Sequence, residues 1–323
     1  MIEPYSNMDS IKRYIQEKLI LRPSKKIVAN TTDDLVQLIK ERSENDGKSL
    51  DMTDVDVSRL DSLSSIFDSC EYVEEIDITD WDTSNATNMS FMFYGCNKLK
   101  RVIGLDTIDT HNVKLMNSMF GYCENIREID LTSFSLESCM SLGWMFSCCR
   151  SLEHVIGIPT LDTSKVTIMI GMFKHCISLE SVDLSGIDMS LVYSCSSMFQ
   201  SCSKLREVEG IRDWNTKSLS NASYMFFNCN MLESIDLSGW ATSRLENTSY
   251  MFSKCDMLSK IDITGWDIRD NGKLKMQQMV SYCKSLREIS GISAIKKYKD
   301  KYHITGNMVT QSNKDIQDEW YKN

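Results

Sequence analysis

Cysteines recur through most of the chain at a nearly constant spacing, and this periodicity limits the fold more than any other feature. Nine of the twelve cysteines stand at successive sequence spacings of 26, 27, 26, 27, 26, 27, 26 and 28. These column cysteines are Cys70, Cys96, Cys123, Cys149, Cys176, Cys202, Cys229, Cys255 and Cys283. A chain of 323 residues would ordinarily suggest two compact domains. A repeat of this length instead predicts one elongated body, in which each unit packs against its neighbours.

Apolar residues keep fixed offsets from each column cysteine. Isoleucine or methionine stands four residues before it, phenylalanine three residues before it in eight of nine units, and a mostly apolar residue seven before it. Those offsets share one face of a helix, so they predict a short amphipathic helix with a buried Met-Phe-Cys stripe. Apolar residues at the third and sixth positions after the cysteine, flanked by polar ones, predict one short strand per unit.

Strand, loop and helix at a period of 26–27 residues predict an α/β repeat, a solenoid of the leucine-rich-repeat type with about nine units. The Asp-Thr-Ser segments at 82–84 and 162–164 are typical of helix starts, where side-chain oxygens accept from free backbone amides. The longer units contain one extra residue and a glycine, namely Gly104, Gly157 and Gly210. An inserted residue with glycine predicts a bulge at the strand end.

The ends of the chain do not repeat, as expected for units that cap a solenoid. We divide the chain into an N-terminal helical arm (1–24), an N-terminal cap (25–52), the solenoid (53–292) and a C-terminal cap or tail (293–323). Within the N-terminal cap, residues 26–29 predict a strand, and Thr32 begins a predicted helix.

The N-terminal arm contains a helical face formed by Ile11, Tyr14, Ile15 and Leu19. Three interpretations stay open for it. It is a helix folded back on the cap, a docking arm for another protein, or a disordered segment.

Outward-facing strand positions form the candidate binding surface. Stacked strands would align their exposed side chains into a mostly acidic sheet face, interrupted by Ile103 and Ile156. The candidate binding residues are Glu75, Asp77, Arg101, Glu128, Asp130, Asp183, Glu207, Asp236 and Asp262. This face is either solvated surface or a binding face for a basic protein partner. Calcium binding along the aspartates is a third hypothesis.

The cysteine column does not have the pattern of a metal or catalytic site. Structural zinc needs several ligands that converge on one ion, whereas each unit here supplies one cysteine flanked by Phe and Met. Disulfides between adjacent units are conceivable at strand spacing, but reduced cysteines that pack as small hydrophobes are favoured. A nucleophilic thiol needs a positioned base, and the histidines, His111, His154, His175 and His303, occupy unrelated repeat positions. We therefore expect no cofactor, no metal and no catalysis.

Charge and hydropathy limit the classes of partner that the chain is expected to bind. The chain has 36 basic and 45 acidic residues and a net charge of −9, so it lacks the basic footprint of nucleic-acid binding. The sequence contains no stretch of about 20 apolar residues, the length that a membrane-spanning helix needs, so membrane insertion is not predicted. The segment 1–22 lacks the apolar core and cleavage site of a secretory signal, which predicts synthesis in the cytoplasm.

The segment 78–96, ITDWDTSNATNMSFMFYGC, resembles the repeat of BspA-like leucine-rich-repeat proteins, and Trp240 to Cys255 matches it again. The resemblance covers about residues 50–292. It implies a right-handed solenoid with strands on one face and short helices on the other. Better-known members resemble surface adhesins that bind host proteins or other cells, and relatives occur in protists, gut bacteria and their viruses. No catalytic residues follow from the resemblance.

Together these observations predict a non-catalytic protein-interaction module of the adhesion or recognition type. The alternative is a structural subunit of a larger assembly, such as a virion, docked through its N-terminal segment. Because no secretion signal or anchor is recognisable, surface display, an intracellular location and association with a virion stay open. The partner is expected to be a protein in either case, with membership of an oligomeric assembly as an open alternative.

Overall fold

Each repeat contributes one three-residue strand, which begins five residues after its column cysteine. The computed structural model describes residues 26–45, 47–68, 70–268, 273–296 and 314–321. The repeat strands are β4 (Glu75–Asp77), β5 (Arg101–Ile103), β6 (Glu128–Asp130), β7 (His154–Ile156), β8 (Ser181–Asp183), β9 (Glu207–Glu209), β10 (Ser234–Asp236), β11 (Lys260–Asp262) and β12 (Glu288–Ser290). Two short 3-10 helices follow β7 and β9, at Ile158–Thr160 and Ile211–Asp213.

Neighbouring strands pair in parallel and in register, which confirms the predicted parallel solenoid of the leucine-rich-repeat type. The central apolar residue of one strand lies beside that of the next, as Ile76 lies beside Val102. Hydrogen-bonded sets are β4–β5, β6–β7, β8–β9 and β10–β11–β12. A second line of parallel bridges runs along the residues eight positions before each cysteine, from Ser62–Asn88 to Asn247–Lys275. Each unit is therefore one coil. The line of bridges joins every successive pair of coils, whereas strand pairing is interrupted between β5 and β6, between β7 and β8, and between β9 and β10.

The predicted short helix in each unit is wrong, because the Met-Phe-Cys segment consists of successive turns. Along this segment alternate backbone amides donate to the next coil, as Phe93 N does to Met119 O at 2.9 Å. The amides between them close local turns, as Cys96 N does to Phe93 O at 3.2 Å. In an α-helix each backbone amide donates to the carbonyl four residues earlier. Because alternate amides here donate to the next coil instead, the segment is not a helix.

Two left-handed residues per unit make these turns. They stand five and one positions before the cysteine, for example Trp144 with φ of 55° and Cys148 with φ of 63°. Because the left-handed positions are four residues apart, residues at offsets seven, four, three and zero still point inward. A helix and this pair of successive turns consequently give the same spacing of buried apolar residues in the sequence.

Two other local predictions are corrected. The Asp-Thr-Ser segments start Asx turns at a corner of the coil, since Ser84 N donates to Asp82 Oδ1 at 3.1 Å. The glycine of the longer units begins a turn rather than a bulge, and Gly157 has φ of 90° before a 3-10 helix. A Cβ on Gly157 would lie 2.6 Å from Thr132 N of the preceding coil, so only glycine fits there.

Columns of identical side chains fill the interior. Eight phenylalanines stack with ring centroids 5.1–5.9 Å apart; they are Phe67, Phe93, Phe120, Phe146, Phe173, Phe199, Phe226 and Phe252. Beside them, each column cysteine from Cys96 onward donates its thiol to the phenylalanine carbonyl of the preceding coil, as Cys149 Sγ does to Phe120 O at 3.0 Å. Buried tryptophans also bond across coils, and Trp240 Nε1 donates to Ile211 O at 2.9 Å.

Irregular elements lie at both ends of the described chain. The N-terminal coil contains β1 (Ile27–Val28), α1 (Thr32–Asn45), β2 (Ser49–Asp51) and β3 (Val55–Asp56), with β1 paired to β3 and β2 to β4. The predicted strand and helix of the N-terminal cap are thus present. Two helices follow β12, namely α2 (Ser293–Lys296) and α3 (Lys314–Tyr321). Leu35 and Ile39 of α1 are fully buried against the first coils.

The phenylalanine column predicts a large stability effect at its centre. Phe146 lies between Phe120 and Phe173, at centroid distances of 5.9 and 5.4 Å. Phe146→Ala should lower the free energy of unfolding by about 3–5 kcal/mol, through lost burial and the cavity left behind. Urea unfolding followed by circular dichroism measures this. The exposed Glu137→Ala on the same coil is the control; a loss for Phe146→Ala no larger than that of the control would contradict a stabilising role of the stack.

Candidate functional site

The nine predicted binding residues all lie on one side of the coils, which we call the strand face: the residues five and seven positions after each column cysteine. Five of them are exposed, and three more are half-buried. Asp77 differs, because only 7% of its surface is exposed. The strand face therefore carries eight of the nine predicted residues where a partner could reach them.

The aspartates of the strand face have a local structural task. Each accepts a hydrogen bond from the backbone amide two residues later, an Asx turn that ends the strand. Asp130 Oδ1 accepts from Thr132 N at 2.8 Å, and this bond holds the pKa of the carboxyl below its usual range. The same turn occurs at Asp77, Asp183, Asp236 and Asp262. The aspartate column is thus explained by turn geometry without a ligand.

Ion pairs between coils neutralise part of the strand face and of its border. Arg101 pairs with Glu75, and Arg212 lies 3.4 Å from Asp236. Lys48 and Lys100 both contact Glu74, which lowers the pKa of its carboxyl to about 2, mainly through the Lys100 hydrogen bond. Among the described residues, six acids of this face have no ion pair within 4.0 Å; they are Glu128, Asp130, Asp183, Glu207, Glu209 and Asp262. The face thus keeps most of the acidic character that its sequence predicted.

A second surface lies on the turns, and none of its residues is among the binding residues predicted from the sequence. We define the turn face as the residues six, five, two and one positions before each column cysteine. Of its 36 positions only Asp68, Lys174 and Lys254 carry a full charge, although a quarter of the whole chain is charged. Eight positions are aromatic: Phe91, Tyr94, Tyr122, Trp144, Tyr224, Phe227, Tyr250 and Tyr282. Most of the rest are serine, glycine, asparagine and glutamine.

The aromatic side chains form two groups on the turn face. In the first, Phe91 contacts Tyr94 edge-on at 5.5 Å, and Tyr94 contacts Tyr122 at 5.3 Å. In the second, Tyr224 stacks on Tyr250 at 4.7 Å, and Lys254 Nζ lies 5.3 Å from the centre of the Phe227 ring.

Bulky residues of the turn face also occupy left-handed backbone positions. Phe91, Tyr122 and Trp144 have φ of 60°, 61° and 55°, a conformation that is an outlier for large side chains. All three are exposed. Glycine and serine occupy the same positions in other coils, so the turn itself does not demand rings there. Local strain combined with exposed apolar surface is typical of functional sites.

Small residues separate Trp144 from the other three rings. The residues between them are Ser118, Gly121 and Ser147, and all three are buried. From rings that are exposed or half-buried beside small residues that are buried, we infer a shallow depression. We call it, with the rings Phe91, Tyr94, Tyr122 and Trp144, the aromatic hollow. A sequence signal for it existed, namely the change from aromatic to small residues at equivalent positions of successive repeats.

Buried thiols dominate the titratable groups of the interior. Burial raises the pKa of Cys70 and Cys195 to about 12, and it raises the pKa of Cys96 and Cys123 as well. A protonated thiol is a weak nucleophile and a weak metal ligand. All twelve cysteines lie in the described residues and are unpaired and buried.

The histidines lie apart from one another. His111 Nδ1 is 3.0 Å from Asp109 Oδ1 at the surface, and His154 is exposed on β7. Burial is the main cause of the lowered pKa of His175. His303 lies outside the described residues. Across the described ranges, no group of three or more His, Cys, Asp or Glu side chains is arranged to hold a metal ion.

The predicted docking arm, with Ile11, Tyr14, Ile15 and Leu19, lies outside the described residues and stays a prediction. Within the described part of the chain, no helix has the length and apolar character needed to cross a bilayer.

Parallel coils, a nearly constant repeat length and stacked apolar columns define a repeat protein of the leucine-rich-repeat type. The family model described as "Mycoplasma protein of unknown function, DUF285" matches residues 61–182, 124–208 and 178–294, and the chain belongs to this family. A comparison with curated proteins found no match.

Among solved structures, the chain is similar to bacterial leucine-rich repeat proteins. One is from Bacteroides ovatus (16% identity, 82% of this chain and 91% of that chain, TM-score 0.34). A leucine rich cell surface protein from Faecalibacterium prausnitzii matches with 13% identity over 75% of this chain and 64% of that chain, at a TM-score of 0.30. A third, from Eubacterium ventriosum, has 12% identity over 79% of this chain and 76% of that chain, at a TM-score of 0.30.

The Asx turns predict a graded effect on thermal stability. At pH 7, Asp130→Ala should lower the unfolding midpoint because Thr132 N loses its acceptor, and Asp130→Asn should lower it less because the amide oxygen still accepts. The lowered carboxyl pKa adds stability above the usual aspartate pKa, and this is lost as pH falls through the lowered value. Thermal unfolding at pH 7 and near pH 2 measures both effects. Equal midpoints for all three proteins at pH 7 would count against the turn.

The raised thiol pKa values predict slow alkylation of the native protein. At pH 8 the column thiols are protonated and enclosed, so iodoacetamide should label them far more slowly than in denaturant, where all twelve cysteines react. Mass spectrometry of timed samples gives the rate at each cysteine. Rapid labelling of Cys123 or Cys176 without denaturant would mean that the coils open readily.

Proposed function

We propose that this chain is a non-catalytic protein-interaction module that presents the turn face of its solenoid to a protein partner. The observation that carries the proposal is the composition of this face, which is nearly free of charge and rich in aromatic residues, three of them exposed and five half-buried. Protein interfaces are depleted of charge at their centre and enriched in tyrosine, tryptophan and phenylalanine. Tyrosine, serine, glycine and asparagine are also the main residues of antibody binding loops.

Rigidity supports this role. Alternate backbone amides of the turn face bond to the next coil, and the amides between them close local turns. The exposed rings therefore stand on a backbone that loses little further freedom when a partner binds, which favours affinity. Adhesive recognition of another protein, as the resemblance to BspA-like repeats suggests, is the form of this function that we propose.

The strand face is the second candidate surface. Its unpaired acids, among them Glu128, Asp183 and Glu207, favour a basic partner there. Docking through residues 1–24, as a structural subunit of a larger assembly, is the alternative that rests on the sequence.

One capture experiment separates these possibilities. The full-length protein is cross-linked in cells of the organism that encodes it, and its partners are quantified by mass spectrometry. Three variants are compared: Trp144→Ser with Tyr250→Ser on the turn face, Asp130→Lys with Asp183→Lys on the strand face, and deletion of residues 1–24. We expect the turn-face variant to lose its principal partner, and the other two to retain it.

Other patterns assign the function differently. Loss caused only by charge reversal would move the binding site to the strand face. Loss caused only by the deletion would favour the structural subunit. Circular dichroism of each purified variant verifies that the solenoid is intact.

A further inference from the structure

We propose that the aromatic hollow binds a proline-rich segment in the polyproline II conformation, with an acidic residue at the end that meets Lys174. This inference rests on the proposed function and names the class of partner. A polyproline II segment has no internal hydrogen bonds, and proteins bind such segments in grooves lined with aromatic side chains.

The shape of the hollow follows from one column of residues, those two positions before the cysteine. In four successive coils this column reads Tyr94, Gly121, Ser147 and Lys174. The Tyr94 ring lies against the glycine, because a Cβ on Gly121 would be 3.0 Å from Tyr94 Cδ2. The column therefore has an aromatic end, a floor of small residues and a cationic end.

Rings border this column. Phe91, Tyr94 and Tyr122 make a continuous edge-to-face series at its aromatic end. Trp144, three residues before Ser147, extends over the next coil, where a Cβ on Gly171 would lie only 2.6 Å from its Cδ1. Glycine at 171 thus leaves room for the indole.

Trp144 also has an unused donor. Its Nε1 has no hydrogen-bond partner among the described residues, whereas Trp81, Trp214, Trp240 and Trp266 each donate to a backbone carbonyl. Trp144 is 42% exposed, and its N–H edge lies beside Gly171. An indole without a protein acceptor suits a ligand that offers carbonyl oxygens and prolyl rings together. A proline-rich backbone does so at every residue.

Charge complementarity sets the end of the segment. The rim and floor of the hollow are uncharged, so uncharged residues fit between the rings. Lys174 is half-buried and has no acidic partner within 4.0 Å in the part of the chain that the structure describes. Because the cation terminates the hollow, a carboxylate on the ligand would pair with it, and a cationic ligand would be repelled.

The length of the hollow matches a short segment. Stacked rings in the adjacent phenylalanine column are 5.1–5.9 Å apart from one coil to the next. Tyr94 and Lys174 are three coils apart, or about 16 Å, which corresponds to about five residues at ~3.1 Å per residue in polyproline II.

Two other ligand classes fit less well. An added β-strand needs free backbone groups, and the amides of these turns are already committed within or between coils. A sugar chain on these rings would find few protein partners for its hydroxyls, because Ser118 and Ser147 on the floor are only 6% exposed. A proline-rich segment makes few such demands.

The test uses purified full-length protein and fluorescein-labelled peptides, with binding followed by anisotropy. The probes are Pro-Pro-Pro-Pro-Glu and its reverse, Glu-Pro-Pro-Pro-Pro, so that both orientations of a peptide in the hollow are tested. One of the two should bind. Replacing its prolines by alternating glycine and serine, or its glutamate by lysine, should weaken binding at least about tenfold.

Matched variants locate the site. Ser147→Phe should fill the hollow, and Phe227 shows that this column accommodates such a ring; Gln200→Phe, at the same position two coils further on, is the control. We expect Ser147→Phe and Trp144→Ala to weaken binding at least about tenfold, and Gln200→Phe to leave it unchanged. Lys174→Glu should reverse the preference between the glutamate and lysine peptides.

Three results would overturn the inference. The first is that neither proline peptide binds the wild type. The second is that a peptide binds Ser147→Phe as well as it binds the wild type. The third is that cellohexaose binds while the peptides do not, and that Ser147→Phe abolishes the cellohexaose binding. If the peptides fail while the turn-face variant still loses its cellular partner, the proposed function stands and only the class of ligand is wrong. Failure of both experiments removes the turn face as a binding surface.

Discussion

Hydrogen bonds between the backbones of successive coils are the interaction on which the rest of this structure depends. Along the turns they join every coil of the repeat to the next, and along the strands they join the coils within each hydrogen-bonded set. Because these bonds require the same residue position in each coil to lie beside its counterpart, side chains of one type accumulate into columns. The stacked phenylalanines and the thiol bonds to their carbonyls are consequences of that alignment.

The same bonds leave the side chains of the surface free to vary. A solenoid has stability that is approximately a sum over units and their contacts, so one outward position can change in one coil without disturbing the others. On the strand face this freedom is partly used by ion pairs and Asx turns, which stabilise the coils. On the turn face, bulky rings occupy left-handed positions where glycine or serine would cost less. The backbone strain of these rings does not stabilise the turn. For this reason we assign the proposed function to the turn face.

Membership in a family described only as of unknown function leaves the chemistry of the surface as the guide to activity. Across the described residues the titratable groups include buried thiols with raised pKa, carboxylates and cations paired between coils, and unpaired surface charges. Such groups serve packing and solubility. The uncharged aromatic hollow, with Lys174 at one end, is the part of the surface whose shape and polarity define a particular ligand.

The sequence by itself determined the architecture, because the nearly constant repeat length and the buried columns can be satisfied only by stacking equivalent units. It also located every repeat strand, since each begins five residues after a column cysteine. Only the tertiary structure decided that the Met-Phe-Cys segment is a double turn, because inward offsets are identical for a helix and for turns repeated every four residues. It likewise decided that Asp130 and its counterparts close strands, and that the rings of Phe91, Tyr94 and Tyr122 contact one another beside Gly121. Those facts depend on which coil lies beside which, and neighbouring coils are distant in sequence.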